Sequence, residues 1–206
     1  MADLRIPLGR AGRTRVRRSL EVARRGADLL DRKLRILRAR HAELLRAEHT
    51  ARDHWHECLR EAETWLRRGL LLGGEGSLDG PPPKRPAGLE VVWTSTMGVR
   101  HPRTASCTVP EREPEALSPA NTALIHAEAA YAEAVRAAAE YAVARAAARA
   151  VGAEVLSTRR RVRALRRKLI PRLEQALARV ELALEQSEHE DAVRRRWAVR
   201  ALQDDA

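Results

Sequence analysis

Residues 158–191 read TRRRVRALRRKLIPRLEQALARVELALEQSEHED, and this stretch decides the fold of the chain. Apolar residues recur through it at steps of three and four, which is the heptad spacing of helices that pair along their length. Its cations are concentrated between Arg159 and Lys168, and its end is acidic. The stretch therefore predicts one helix of a coiled coil, with charges that need partners.

The same spacing extends over most of the chain. Starting at Val16, alternating steps of four and three reach Trp65, with one interruption at Glu48. A second run begins at Ala130 and continues to Leu165. Two long heptad segments around a non-helical middle predict an all-α chain, folded as one long antiparallel two-helix coiled coil.

The second heptad run changes register near the middle of the quoted stretch. Two successive steps of four, from Leu165 to Leu169 and from Leu169 to Leu173, form a stutter that locally unwinds a supercoil. Pro171 lies inside this stutter. Because proline has no N–H and its ring presses on the carbonyl four residues earlier, it kinks a helix. The sequence therefore predicts a kink at Pro171.

The middle of the chain is rich in glycine and proline. The Gly and Pro clusters of residues 71–88 end the first helix. Two short segments that contain Val, Thr and Trp then flank a turn, and they predict a short β-hairpin at 89–109. A linker leads to Ser118, a favourable N-cap, which is followed by Pro119 at the first helical position.

This gives a predicted organisation in three parts. An N-terminal coiled-coil helix occupies 1–70, and a C-terminal coiled-coil helix occupies 118–206. Between them, 71–117 holds the loop, the β-hairpin and the linker. We expect the hairpin either to stimulate turnover or to seat a partner, without shaping the coiled coil.

Charge complementarity predicts the register of the two helices. If opposed residues keep a sum of about 210 in their numbers, the cations of 17–25 face the acids of 185–191. The cations of 159–168, here called the basic band, then face the acids of 43–57. Coiled coils select partner and orientation through such flanking charges. The prediction therefore gives the basic band partners within the chain.

The overall charge leaves other protein classes open. The formal net charge is +11, which suits nucleic acid, an anionic membrane surface or an acidic protein. Acidic residues alternate with basic ones along the first helix, and this argues against a nucleic-acid-binding face. A basic coiled-coil protein that binds nucleic acid, or a homodimeric scaffold, remains the alternative.

The sequence predicts no catalytic, cofactor or metal site. The glycine-rich stretch at 71–80 lacks the lysine of a phosphate loop. His54 and Cys58 lie one helical turn apart, but no second pair of ligands has matching spacing. The two cysteines lie in dissimilar segments, which favours free thiols in a reducing cytosolic compartment. We expect neither a secretory signal nor a run of roughly 20 apolar residues that could span a bilayer.

Short motifs follow one another along most of the chain. They are RGADLLDRK at 25–33, MGVRHP at 97–102, SPANT at 118–122, TRRRV at 158–162, IP at 170–171, EQ at 185–186 and EHED at 188–191. In this order and spacing they resemble the D subunit of the V-type (archaeal or vacuolar) ATPase, the central rotor shaft of that enzyme. The resemblance covers nearly the whole chain. Arg163 and Arg166 depart from it, because the family has Asn and Glu at those positions.

The resemblance implies a non-catalytic protein, without a cofactor, that transmits torque in a proton-translocating ATPase or ATP synthase. It implies one copy per complex, in the peripheral part on the cytoplasmic face of the membrane. The implied partners are the hexamer of A and B subunits, the F subunit and the C subunit (named d in eukaryotes), with no nucleic acid and no membrane insertion.

The resemblance also suggests contact residues. The expected contacts with the surrounding stator are Pro7, Arg10, Arg25, Gly26, Glu188, Glu190 and Asp191. The expected partner contacts on the hairpin are Met97, Gly98, Val99, Arg100 and Pro102.

Overall fold

The computed structural model describes residues 9–78, 86–110 and 119–204. The chain is mostly helical, with a two-stranded antiparallel hairpin between helices, which confirms the coarse fold prediction. The elements are α1 (Arg10–Gly73), a 3₁₀ helix (Glu75–Leu78), β1 (Gly88–Thr96), β2 (Val99–Thr108), α2 (Thr122–Ala164), a π-helical turn (Leu165–Leu169) and α3 (Ile170–Asp204).

The heptad residues of α1 are the ones that the structure buries. Val16, Leu20, Ala23 and Ala27 are buried, and Leu37 is completely inaccessible to solvent. The remaining heptad positions as far as Trp65 are buried or half-buried. α1 contains no proline and is dominated by Leu, Ala, Arg and Glu, which are strong helix formers. Burial of one apolar face, added to this propensity, accounts for its length.

The chain divides into two compact units. The first unit comprises Met1–Leu34 and Ser157–Ala206, and in it the start of α1 packs against α3. Its core consists of small and medium aliphatic side chains, which suits helices that approach closely. The buried members of this core are Val16, Leu20, Ala23, Leu173 and Ala176, with Ile170 and Leu177 half-buried against them.

Three ion pairs show the register of α1 against α3 in the first unit. From one pair to the next, the arginine lies seven residues later in α1 and the glutamate seven residues earlier in α3, so the two helices run antiparallel. The two residue numbers of every pair add to 198, and the expected sum of about 210 was therefore wrong. The pairs are Arg10–Glu188 at 3.1 Å, Arg17–Glu181 at 2.5 Å and Arg24–Glu174 at 2.7 Å.

The second unit, Arg35–Leu156, contains the rest of α1, the hairpin and most of α2. Its core combines Leu37 and Leu44 of α1 with Ala147, Ala148 and Val151 of α2. Further along, the rings of Trp55 and Tyr141 stack at 5.5 Å, and those of Trp65 and His126 stack at 4.6 Å. The aromatic residues therefore join α1 to α2 where the aliphatic core is thin.

Asn121 begins α2 and ties it to the end of α1. Its Oδ1 accepts a hydrogen bond from the N–H of Leu124 at 3.0 Å, and its Nδ2 donates to the carbonyl of Gly69 at 2.9 Å. The first bond is that of an N-cap. The prediction that α2 starts at Ser118 was wrong, since Pro119 precedes the helix; Ser118 itself lies outside the described residues.

The hairpin at 88–108 agrees with the strands expected at 89–109. Met97 and Gly98 form its two-residue turn, with φ of 52° and 82°. Positive φ at both positions matches the twist of the flanking strands, and it strains Met97 because that residue has a Cβ. A register shift between Val92 and Trp93 interrupts the pairing. The side chain of Val99, next to the turn, packs against the core of the second unit.

This last contact corrects one expectation. The hairpin was expected to leave the helices unaffected, yet Val99 covers part of the core built from α1 and α2. One end of the hairpin is therefore structural, whereas most of its side chains remain exposed.

We predict that the ion pairs between α1 and α3 act as weak register markers. Arg17→Glu should lower the free energy of unfolding by less than about 1 kcal/mol, because exposed ion pairs contribute little. Adding Glu181→Arg should recover part of the loss, as measured by urea unfolding in a double-mutant cycle. Arg18→Glu is the matched control, since the neighbouring Arg18 forms no ion pair with any described residue. A coupling of zero between positions 17 and 181 would contradict the assigned register.

Two helical glycines should respond in opposite ways to alanine. A Cβ at Gly152 would lie 2.7 Å from Nε2 of His41, whereas a Cβ at Gly26 would meet nothing within 4 Å. Gly152→Ala should therefore destabilise the chain by about 1 kcal/mol, because overpacking outweighs the gain in helix propensity. Gly26→Ala should stabilise it by about 0.5–1 kcal/mol. Thermal unfolding measures both, and a stable Gly152→Ala variant would show that the His41 ring can move aside freely.

Candidate functional site

The residues expected to contact a stator do not form one cluster. Arg10 and Glu188 are brought together in an exposed ion pair at 3.1 Å. Arg25 pairs instead with Glu21 of its own helix. Gly26 is half-buried beside open space. These residues lie on α1 and α3 of the first unit, and Pro7 lies outside the described residues.

The acidic end of the quoted stretch is engaged within α3. Glu190 and Asp191 both pair with Arg194, at 3.6 Å and 3.7 Å. All three side chains remain largely exposed, so they can also be reached from solvent. Their role as partner contacts stays a prediction.

The hairpin candidates separate into inward and outward residues. Met97 and Gly98 are exposed at the turn, and the guanidinium of Arg100 lies 5.0 Å from the centre of the Trp93 ring. By contrast, Val99 packs inward, and Pro102 is buried opposite Trp93 at the register shift. The exposed Trp93–Arg100 pair is thus a candidate partner contact. The motif MGVRHP predicted Arg100 but not Trp93.

His101 is a buried residue that sequence reasoning missed. It is completely inaccessible, and its Nδ1 lies 3.0 Å from the carbonyl of Pro102. Because a carbonyl only accepts, Nδ1 carries the proton, and Nε2 accepts from the hydroxyl of Thr96 at 3.0 Å. Both ring nitrogens are therefore satisfied inside the hairpin. The motif MGVRHP at 97–102 indicates a turn, but it does not distinguish a buried histidine from an exposed one.

The π-helical turn lies where the sequence predicted a disturbance. The N–H of Ile170 donates to the carbonyl of Leu165, five residues earlier, instead of four. Pro171 follows at once and has no N–H to offer to the carbonyl of Arg167. The stutter and the proline thus coincide with one widened turn, a type of bulge often found at functional sites. Whether it also bends the helix stays a prediction.

The widened turn changes which residues reach the core. Leu169 was expected at a heptad position, but it is 37% exposed. Leu173, one step further, is 4% exposed and belongs to the core of the first unit. The buried face is therefore interrupted at Leu169 and resumes after the proline.

The basic band meets fewer acids than the sequence predicted. Arg166 pairs with Asp31 and, at 3.4 Å, with Asp28 on α1, so the expected partners at 43–57 were wrong. The observed register explains this. Because opposed residue numbers add to 198 instead of about 210, the basic band lies opposite residues nearer the start of α1. The other cations of the band are exposed and form no ion pair with the described residues: Arg159, Arg160, Arg161, Arg163, Arg167 and Lys168.

A groove of about 430 Å³ opens beside the widened turn, within the first unit. Four apolar and three cationic residues line it, and we refer to the apolar residues as its floor and to the cationic residues as its rim. The floor consists of Leu30, Ala164, Leu165 and Leu169, and the rim consists of Arg161, Lys168 and Arg172. We call this feature the basic groove.

A second, smaller hollow surrounds Cys58 in the second unit. Glu61, Trp65, His126 and Glu133 are among the residues that line it. The thiol of Cys58 lies 3.8 Å from Nε2 of His54. Burial raises the pKa of the Cys58 thiol, and the carboxylate of Glu133 adds to the rise. The thiol therefore stays protonated at neutral pH, and the described residues contain no group of three side chains placed to hold a metal ion.

The architecture and these surfaces agree with the result of a comparison with protein families. The family model described as the ATP synthase D subunit matches residues 13–200. The chain belongs to the ATP synthase D subunit family. This confirms the resemblance to the D subunit of the V-type ATPase that the motifs carried. A comparison with curated proteins gave no significant match.

Membership of the D subunit family identifies the chain as a component of a rotary ATPase. The family comprises stalk proteins that are generally non-catalytic. In the part of the chain that the structure describes, no helix offers an apolar stretch long enough to cross a membrane.

We predict that Pro171 costs stability in the isolated protein. Pro171→Ala returns an N–H donor to the carbonyl of Arg167, so it should raise the free energy of unfolding by about 1–3 kcal/mol. Pro171→Gly restores the same donor but should gain about 1 kcal/mol less, because glycine is a poor helix former. Thermal unfolding of the three proteins measures this order. A lower melting temperature for Pro171→Ala would mean that the proline ring is itself well packed.

Proposed function

We propose that the chain is the central-stalk rotor of a proton-translocating V-type ATPase or ATP synthase. In this role it transmits torque between a catalytic hexamer of A and B subunits and the membrane ring. It would act as one copy per complex, in the peripheral part on the cytoplasmic face. The observation that carries the proposal is the burial or half-burial of the heptad residues along α1, in a member of the D subunit family.

Paired helices suit the transmission of torque. A single helix twists easily, but two helices whose side chains interlock resist relative rotation and sliding. In each unit α1 has such a partner, and we propose that the pairs are parts of one antiparallel coiled coil. The ion pairs of Arg10, Arg17 and Arg24 mark its register on the outside. Their exposure means that the apolar contacts, rather than the charges, bear the load.

The widened turn supports a rotor that is not uniform along its length. A rotor within a ring of three equivalent catalytic sites must present a different surface to each site at any moment. A regular helix pair offers a similar profile at every turn, whereas the π-helical turn at Leu165–Leu169 and Pro171 interrupts it. We propose that this region bends α3 locally and helps to make the three sites unequal.

The hairpin and the helix ends would provide contacts with other proteins of the complex. The exposed Trp93–Arg100 pair and Met97 form a surface suited to the F subunit, because aromatic and arginine side chains dominate protein interfaces. Arg10 and Glu188 are proposed stator contacts. The exposed Leu71 and Leu72 at the end of α1 would face the C subunit, since large exposed apolar side chains mark interaction surfaces.

A nucleic-acid-binding function is the second candidate, and the six cations of the basic band that form no ion pair with the described residues favour it. Such a protein should bind duplex oligonucleotides with an affinity that falls steeply as salt increases. The stalk function predicts weak binding that does not distinguish this chain from other basic proteins.

We expect the chain to rotate within an assembled hexamer. The chain should be produced together with the A, B and F subunits of its own complex, and Cys58 and Cys107 should be changed to Ser. The variant Leu72→Cys then provides a single thiol at an exposed position, to which a bead is attached. The bead should turn in one direction in steps when ATP is added. A matched complex labelled at Leu71→Cys should behave in the same way. A chain that co-purifies with the hexamer while the bead stays still would contradict the rotor function.

A further inference from the structure

The geometry points to the basic groove as a docking site for an apolar side chain flanked by carboxylates on a partner polypeptide. This inference rests on the proposed function, since the partner is taken to be another protein of the same complex. It adds a contact that is separate from Arg10, Glu188 and the hairpin. Three features of the groove support it: its floor, its rim and its size.

The floor of the basic groove is apolar surface that the described part of the chain leaves uncovered. Leu169 would occupy a buried heptad position in a regular helix, but the widened turn leaves it 37% exposed. Together with Leu30 and Leu165 it lines the bottom of the groove. Covering such side chains removes apolar surface from water, which favours association. The widened turn therefore exposes Leu169 instead of burying it within the chain, and the exposed side chain contributes to a surface that a partner can cover.

The rim of the basic groove carries positive charge that the described residues do not fully neutralise. Arg161 and Lys168 form no ion pair with those residues. Asp28 and Asp31 of α1 are the acids that the structure shows paired with the basic band, and both of them pair with Arg166. An occupant with carboxylates on either side of its apolar tip would complement this rim and gain specificity from it.

The size and chemistry of the groove select a polypeptide over nucleic acid. A volume of about 430 Å³ accommodates one or two large side chains. Its lining, among the described residues, contains no aromatic ring on which a base could stack, and stacking is the common feature of single-strand binding. An apolar centre with a charged rim is instead the arrangement of a protein interface. The expected occupant is thus a Leu, Ile, Met or Phe with Asp or Glu on adjacent turns.

The test measures the affinity of the full-length chain for the purified hexamer of A and B subunits of its own complex. Leu169→Asp places a charge on the apolar floor and should weaken binding at least about tenfold, as expected for a residue at an interface centre. Leu182→Asp is the matched control, because Leu182, on α3, is an exposed leucine like Leu169 but does not line the groove. Lys168→Glu should weaken binding similarly, whereas Arg159→Glu, in the same basic band but outside the groove, should not.

Folding and partner chemistry are checked separately. Circular dichroism and thermal unfolding should show all four variants folded, as expected for exposed positions. A photo-crosslinking amino acid at position 169 of the full chain should capture a hexamer peptide with an apolar residue flanked by acids. Capture of a peptide without acidic residues would overturn the proposed occupant.

Each outcome separates this inference from the proposed function. Equal affinities for Leu169→Asp and Leu182→Asp would overturn the basic groove while leaving a rotating, hexamer-bound chain intact. If Lys168→Glu and Arg159→Glu weaken the affinity for the hexamer equally, the binding reflects general electrostatic attraction, and the proposed groove contact is overturned. Tight binding of a 20-nucleotide single- or double-stranded probe that Lys168→Glu abolishes would assign the groove to nucleic acid. Failure of the unchanged chain to bind the hexamer would overturn both proposals.

Discussion

The rest of the structure depends on the burial of one apolar face of α1 against helices from the second half of the chain. The chain has few aromatic residues, so its cores consist of Ala, Val and Leu side chains. Small side chains allow helices to approach closely, and closely packed helices tolerate few added atoms at their contacts. The contact between His41 and Gly152 illustrates this, since a single added Cβ would lie 2.7 Å from the imidazole.

The sequence predicted which residues are buried much better than which residues face each other. Heptad spacing identifies a buried face from local pattern alone, and positions such as Val16, Leu37 and Val151 followed it. Register depends instead on contacts between residues that are distant in the sequence. In the second unit, for example, Asn121 bonds to Leu124 and Gly69, while the Ser-Pro pair upstream offered an equally plausible helix start. Exposed ion pairs could not decide the matter, because several registers oppose unlike charges and each pair is weak.

The same reasoning explains what was predicted at the candidate site. Proline and the stutter are local signals, so the position of the disturbance near Pro171 was accessible from the sequence. The form of that disturbance could not be predicted from the sequence. A π-helical turn and a regular helix that lacks the one bond of proline lose similar hydrogen bonds. The exposure of Leu169 and the pairing of Arg166 with Asp31 follow from the turn and the register together. The basic groove therefore could not have been found from the pattern of residues alone.

The stretch 158–191 thus contains two halves that obey different constraints. After Pro171, Leu173 and Ala176 are buried in a core, and Glu174 and Glu181 pair with α1, so this half is committed to internal contacts. Before Pro171, Thr158 and Val162 are still buried, but Arg166 pairs with both Asp28 and Asp31, the remaining cations of the basic band face solvent, and Leu169 is partly exposed. A stability requirement alone would favour a regular helix throughout. The combination of a widened turn with solvent-facing cations therefore favours the proposed interaction outside the chain.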